Sequence, residues 1–295
     1  MQIYQVNSIG AYLYKGIRHL IQNRRTSKTW FFLEALFVYI ISACYFLHVM
    51  LPLEASITVD GLFHYRISEV LWEERKLWYS IHWLPFTILG NEGPDHHWFW
   101  HILIAPLTQL SSDSFTGFKI ASALSGALVP AAFSLVSRLL GIPFAPLIAL
   151  LAAFSDHILP GRYLMLKAQN LAIIIIFCCA WAMLNGRYVI LFILSAVFMY
   201  SYHGAILLAP IGVFAVLVNY LYSKNFSLLI PIVIATGLLF ALIINPWYPE
   251  SVNYLTFHIF YKMLTETNIL PGNEWFRLSP TQFFINSIVA HCLLL

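Results

Sequence analysis

Apolar residues fall in long runs separated by short polar turns, and the runs approach the length of a membrane-crossing helix. Eight stretches carry the pattern: 30–50, 118–136, 144–159, 168–184, 188–202, 205–222, 228–244 and 281–295. A straight helix needs about 20 apolar residues to cross a bilayer. The shorter runs must therefore extend into flanking Trp, Tyr and His, which suit the headgroup level. The run 99–110 is shorter still and contains His101 and Pro106. Its length predicts an interfacial or re-entrant helix rather than a span. No Gly/Ser linker, low-complexity tract or internal repeat interrupts the series.

Composition sharpens this picture. With 60% hydrophobic and only 10% charged residues, the chain is far from a soluble domain, which runs near half apolar and a quarter charged. The same figures exclude disorder, collagen and coiled coil, and nothing marks a nucleic-acid binder. The expected fold class is all-α, a polytopic helical membrane protein of about eight transmembrane helices with external helices in the first loop.

The net charge of +3 matters less than its distribution. Lys15, Arg18, Arg24, Arg25 and Lys28 precede the first span with no acid among them. By the positive-inside rule, residues 1–29 form a basic cytoplasmic N-terminus rather than a signal peptide. If 99–110 does not cross, Arg138, Arg187 and Lys224 also fall on short cytoplasmic turns. Residues 30–295 then form the membrane domain, in the cell inner membrane, with two large external segments at 51–117 and 245–280. The last span breaks off at Leu295 without a charged stop, which predicts C-terminal truncation. Cys44, Cys178 and Cys179 lie within apolar runs and Cys292 near the end, so all four read as small apolar fillers.

Three polar clusters could carry chemistry. The first follows the first span: Asp60 and His64 share a helix face at i, i+4, with Arg66 and Glu69 joining only partly. A carboxylate there can act as a base or metal ligand, or can simply open an external helix. The second is Asp95-His96-His97-Trp98-Phe99-Trp100-His101. His97 and His101 have the spacing of a metal pair, while Trp98 and Trp100 suit an interfacial helix. Any metal site here would draw on Asp60, Asp95, His96 and His97. The third runs from Ser155 to Asn170 and holds Asp156, Arg162, Lys167 and Gln169. Its cations can bind phosphate, with Arg162 forking two oxygens and Lys167 supplying a point charge, or can snorkel to headgroups. His203 faces the same side, and Glu34 lies within the first span, facing the bundle or the cytoplasmic edge.

The order of these features resembles C-type (GT-C) membrane glycosyltransferases. A basic N-terminus and one span lead to Asp60-Gly61-Leu62-Phe63-His64-Tyr65-Arg66, which is similar to the first external loop of the oligosaccharyltransferase catalytic subunit, where an Asp belongs to the active site. Residues 121–140, ending near Arg138, and 152–162 resemble that family's next two spans and the loop after Gly161. The resemblance covers roughly residues 30–184. It implies Asp60 as the catalytic base or orienting carboxylate, and Arg162, Lys167, His64, Arg66, Gln169, Asp156 and His203 as substrate-binding residues. One departure is specific: where the family carries a metal-binding acidic pair, this chain has Leu166-Lys167-Ala168-Gln169.

The expected activity is transfer of a sugar or glycan from a polyprenyl-phosphate-linked donor to an acceptor glycan, lipid or protein at the extracytoplasmic face. Arg162 and Lys167 stand in for the missing acids' metal, so that no cofactor is required; a divalent Mg²⁺ or Mn²⁺ on the Asp/His cluster is the alternative. Two other functions remain open at this point. One is a polysaccharide polymerase or ligase using the same donors. The other is a transporter or flippase, which would place its site at the midplane of repeated, broken helices, or an inactive fragment.

Overall fold

A computed structural model describes residues 28–55, 59–75, 77, 94–154, 158–223 and 227–256. Lys15, Arg18, Arg24, Arg25, Asp156, Lys224, Cys292, the expected span 281–295 and the second external segment beyond residue 256 lie outside the described residues.

Among the described residues the chain is helical throughout. In order these are α1 (Lys28–Met50), α2 (Val59–Glu74), α3 (Trp98–Ile104) running into a 3₁₀ turn (Ala105–Leu110), α4 (Ser114–Leu139), α5 (Ala145–Phe154) and α6 (Ile158–Tyr163). Then come α7 (Gln169–Leu184), α8 (Tyr188–Ser201), a 3₁₀ turn (His203–Leu207) leading into α9 (Leu208–Ser223), α10 (Leu229–Ile243) and α11 (Glu250–Thr256). Among the described residues, three segments are long and apolar enough to cross a membrane: Lys28–Met50, Ser114–Leu139 and His203–Leu221. The described residues are thus all-helical, in keeping with a helical membrane protein. Helices α5, α7, α8 and α10 are apolar but shorter.

Of the run 144–159 the structure describes α5 to Phe154 and α6 from Ile158, with residues 155–157 outside the described residues. The run 99–110 is helical, but Pro106 lies in the first turn of the 3₁₀ segment and lacks the N–H an α-helix would use. With α3 it covers residues 98–110, and it is not among the described segments long and apolar enough to cross a membrane.

The packing follows from small residues. Helix α4 buries Ala121, Ser122, Ala123, Ser125, Gly126 and Ala127, and α1 lies along it, Phe46 and Met50 fully inside the shared core. Small side chains let helix axes approach closely where lipid offers no hydrophobic drive for association. The pair is antiparallel, as its polar ends show. At one end Arg138 Nε donates to Glu34 Oε2 at 2.6 Å and Nη2 to Oε1 at 3.3 Å, while Nη1 reaches the Pro143 carbonyl at 3.0 Å. At the other, Lys119 Nζ donates to the carbonyl of Leu51 at 3.0 Å. A second core joins α7, α8, α9 and α10 around Ile175, Cys179, Leu191, Leu208 and Ile234.

The amphipathic helix α2 caps the Leu51 end. It buries His64, Tyr65, Ile67, Ser68, Glu69 and Leu71 and exposes Asp60 and Arg66. Tyr65 donates its hydroxyl to the Thr108 carbonyl at 3.1 Å. A Cβ at Gly117 would stand 2.2 Å from that hydroxyl, so only glycine fits there. Burial, helped by Glu69 and Asp113, pushes the Tyr65 phenol up to about 12, and it stays a neutral donor.

Candidate functional site

The polar side chains expected to act together converge at this same end. Lys167 Nζ lies 2.8 Å from Asp60 Oδ2, with the lysine side chain 10% exposed and the carboxylate 59% exposed. The turn between α6 and α7 aims the lysine. Leu166 takes a left-handed conformation, φ 51°, rare for a residue with a Cβ. Its side chain is fully buried and its carbonyl accepts from Trp100 Nε1 at 3.3 Å, which holds the turn in place. Asp60 sits inside the first turn of α2, where a negative charge also suits the helix N-terminus.

One turn further along the same face lies His64, and with it a chain of hydrogen bonds. His64 Nδ1 is 2.7 Å from His101 Nε2, and His101 Nδ1 is 2.7 Å from Asp95 Oδ2. The other Asp95 oxygen accepts from the His97 backbone N–H at 2.9 Å. His97 in turn donates Nδ1–H to the Ser201 carbonyl at 3.1 Å. Its ring stacks on Tyr202 at 5.8 Å and packs against His203 at 5.7 Å and His64 at 5.0 Å. Burial, reinforced by His101, lowers His97 to about 4. Burial together with His97 and His101 also lowers His64 well below its ordinary value. Both rings are therefore neutral near pH 7.

Beside this cluster opens an apolar groove of about 410 Å³ between α7 and the start of α9. Ile173, Ile176 and Leu208 line its depth, and Arg162, Gln169 and Tyr202 stand along it. Gln169 Nε2 donates to the Tyr202 hydroxyl at 3.4 Å. Tyr202 thus belongs to both groove and histidine cluster. Its ring position demands Gly204, where a Cβ would come within 2.5 Å of the tyrosine Cε1.

The structure separates other candidates from this group. Arg66 turns away from Asp60 and pairs with Glu69, which also accepts from Ser114 Oγ at 2.8 Å. Its position two residues beyond His64 places it on another face of α2. His96 faces α11 and stacks on Tyr254 at 3.7 Å. In this arrangement Asp95 and His64 engage both ring nitrogens of His101. Among the described residues, no group of three His, Cys, Asp or Glu side chains is placed to hold a metal ion.

Sequence reasoning underrated three residues. His101 was read through its spacing to His97, not its reach to α2. Ser201 contributes a backbone carbonyl, which no side-chain pattern reveals. Tyr202 carried a signal in its position beside His203, at the end of an apolar run. Compared with known protein families, curated proteins and solved structures, the chain matches none.

Proposed function

We propose that this chain is a C-type membrane glycosyltransferase that moves a sugar from a polyprenyl-phosphate donor to a hydroxyl of an acceptor glycan, lipid or protein. The observation that carries the reading is the meeting of Asp60 and Lys167 next to an apolar groove along which Arg162 and Gln169 stand. A polyprenyl phosphate needs an apolar furrow for its chain and cations for its head, and both are adjacent here. By the basic residues Arg138 and Arg187 at the opposite ends of the helices, this end faces away from the cytoplasm of the cell inner membrane.

In the proposed reaction the acceptor oxygen forms a bond to the anomeric carbon as the sugar–phosphate C–O bond breaks. The phosphate leaves with the bonding electron pair, and Arg162 and Lys167 neutralise it. The acceptor proton goes to Asp60. The ion pair gives this base a built-in control. A donor phosphate entering the site competes with Asp60 for the Lys167 ammonium, which releases the carboxylate to take the hydroxyl proton. Gln169, on the groove, and His203, packed against His97, would contact the sugar or phosphate.

The test is binding of a polyprenyl monophosphate to the purified protein in nanodiscs, followed by native mass spectrometry. Replacing both Arg162 and Lys167 with alanine should lower retention by more than tenfold, since hydrogen bonds to charged groups contribute roughly 1.5–3 kcal/mol each. Equal retention by wild type and the double variant would remove the phosphate role and leave both cations as headgroup anchors.

A further inference from the structure

Helix α6 ends at Tyr163, and the last carbonyls of a helix have no partner within it. Two of them find one in the turn that follows. The Met165 N–H donates to the Arg162 carbonyl at 3.3 Å, and Asn170 Nδ2 donates to the Tyr163 carbonyl at 2.7 Å. Asn170 is buried in the first turn of α7, and its backbone N–H returns to the Lys167 carbonyl at 3.1 Å. One residue thus grips both ends of the segment 163–167, which begins beside Arg162 and ends on Lys167. A buried amide is unfavourable unless its donors are used, and an aliphatic side chain would fill the space without that penalty.

The seat for this segment lies on α4. The Tyr163 carbonyl packs against Gly126, where a Cβ would stand 2.8 Å from the carbonyl oxygen and 3.1 Å from its carbon. Both are backbone atoms, so no side-chain rotation could relieve the clash. The Tyr163 ring meets Phe46 of α1 at 6.5 Å. Further along, Leu164 and Leu166 are buried, and Trp100 donates to the Leu166 carbonyl at 3.3 Å. The segment is held from α1, α3, α4 and α7 at once.

Resting on the transferase reading, we propose that Asn170, seated by Gly126, is a positioning residue that holds Arg162 and Lys167 in one fixed relation for the phosphate of the polyprenyl substrate. Asn170 acts through the backbone, with no contact of its own to phosphate or sugar. The carbonyl it grips follows Arg162 by one residue, and its own N–H is tied to Lys167. Without the side-chain bond, α6 is no longer tied to α7 through the Tyr163 carbonyl. The Lys167 ammonium then leaves its place 2.8 Å from Asp60, and Arg162 loses its aim along the groove. A phosphate gains most from two cations when neither must be reordered to meet it. A residue that only stabilised the fold would lower the melting temperature and leave the ion pair of the folded molecules unchanged.

The experiment is solid-state NMR of the full chain in liposomes, labelled with nitrogen-15 lysine and carbon-13 aspartate, with no polyprenyl substrate present. In the wild type, Lys167 Nζ should couple to Asp60 Cγ, a signal assigned by its loss in Asp60→Asn. Asn170→Ala should lose most of that coupling while keeping its helical circular dichroism. It should also lower retention of a polyprenyl monophosphate in nanodiscs by about tenfold, the scale of leaving one buried carbonyl unsatisfied. Gly126→Ala, which leaves Asn170 itself intact, should weaken the coupling in the same way. Full coupling in either folded variant, even with a lower melting temperature, would overturn the positioning role. So would unchanged monophosphate retention in Asn170→Ala. Should neither variant fold, wild type labelled with nitrogen-15 asparagine and carbonyl carbon-13 tyrosine decides the matter. There Asn170 Nδ2 should couple to the Tyr163 carbonyl carbon, and its absence would overturn the proposal. A wild type that retains no monophosphate would instead remove the transferase reading, while the hold on the Asp60–Lys167 pair is read without any substrate.

Discussion

Lys167 and Asp60 meet at 2.8 Å although they come from different helical segments, and this contact ties the first external helix to the entry of α7. The lysine side chain is largely buried and the carboxylate largely open, so their loss has unequal consequences. Lys167→Glu should lower the melting temperature in detergent, because it sets two carboxylates against each other at a mostly buried position. The exchange variant Asp60→Lys/Lys167→Glu should recover part of the loss. The exposed partner limits the recovered energy to about 1 kcal/mol or less. No recovery on exchange would mean that packing of the lysine stem, not the ion pair, holds the turn.

At the opposite end, Glu34 and Arg138 clamp α1 to α4. Both side chains are mostly buried, and the guanidinium also lies 4.7 Å over the ring of Phe31. Removing one partner of such a pair strands the other in a poor medium, at about 3 kcal/mol. Glu34→Gln and Arg138→Met should each destabilise strongly, while the double variant should lose much less than the sum. Additive losses in a double-mutant cycle would deny the coupling.

Stability should fall below neutral pH. His97 is lowered to about 4 in the folded chain against 6.5 ordinarily, so between those values the unfolded state binds the proton first. Stability present above about pH 6.5 is therefore lost as pH drops towards 4, by about 3 kcal/mol from this ring at 1.36 kcal/mol per unit. His64 is shifted in the same direction. A thermal melt series should show the decline, and His97→Gln should flatten it. A melting temperature independent of pH across that window would contradict the buried neutral rings.

Donor binding should survive EDTA. Asp60 is engaged by Lys167, and both Asp95 oxygens take N–H donors from His101 and His97. The stretch Leu166-Lys167-Ala168-Gln169, where the resembling family carries acids, contains none. Loss of polyprenyl phosphate binding on chelation, with rescue by Mn²⁺, would require these carboxylates to rearrange around an ion.

Much of the architecture was legible because lipid imposes its own length scale on a sequence. The runs beginning near Trp30, Phe118 and Ala205 correspond to the three helices long enough to span among the described residues. Within the site, i, i+4 spacing correctly put Asp60 and His64 on one face. For His97 and His101 the spacing says which face a ring occupies and not which partner waits there. His101 finds His64 across a separation of 37 residues, a tertiary contact that local patterning does not encode. Lys167 depends on a left-handed leucine that no propensity foretells.

The central claim is that Asp60 serves sugar transfer from a polyprenyl-phosphate donor. Its most direct test is release of labelled sugar from polyprenyl-phosphate hexoses by membranes containing the protein, wild type against Asp60→Asn, with matched protein levels. The account predicts transfer by the wild type and a fall of roughly 10²–10⁴-fold in the variant, the range for loss of a general base. Equal rates in the two, above membranes lacking the protein, would contradict it.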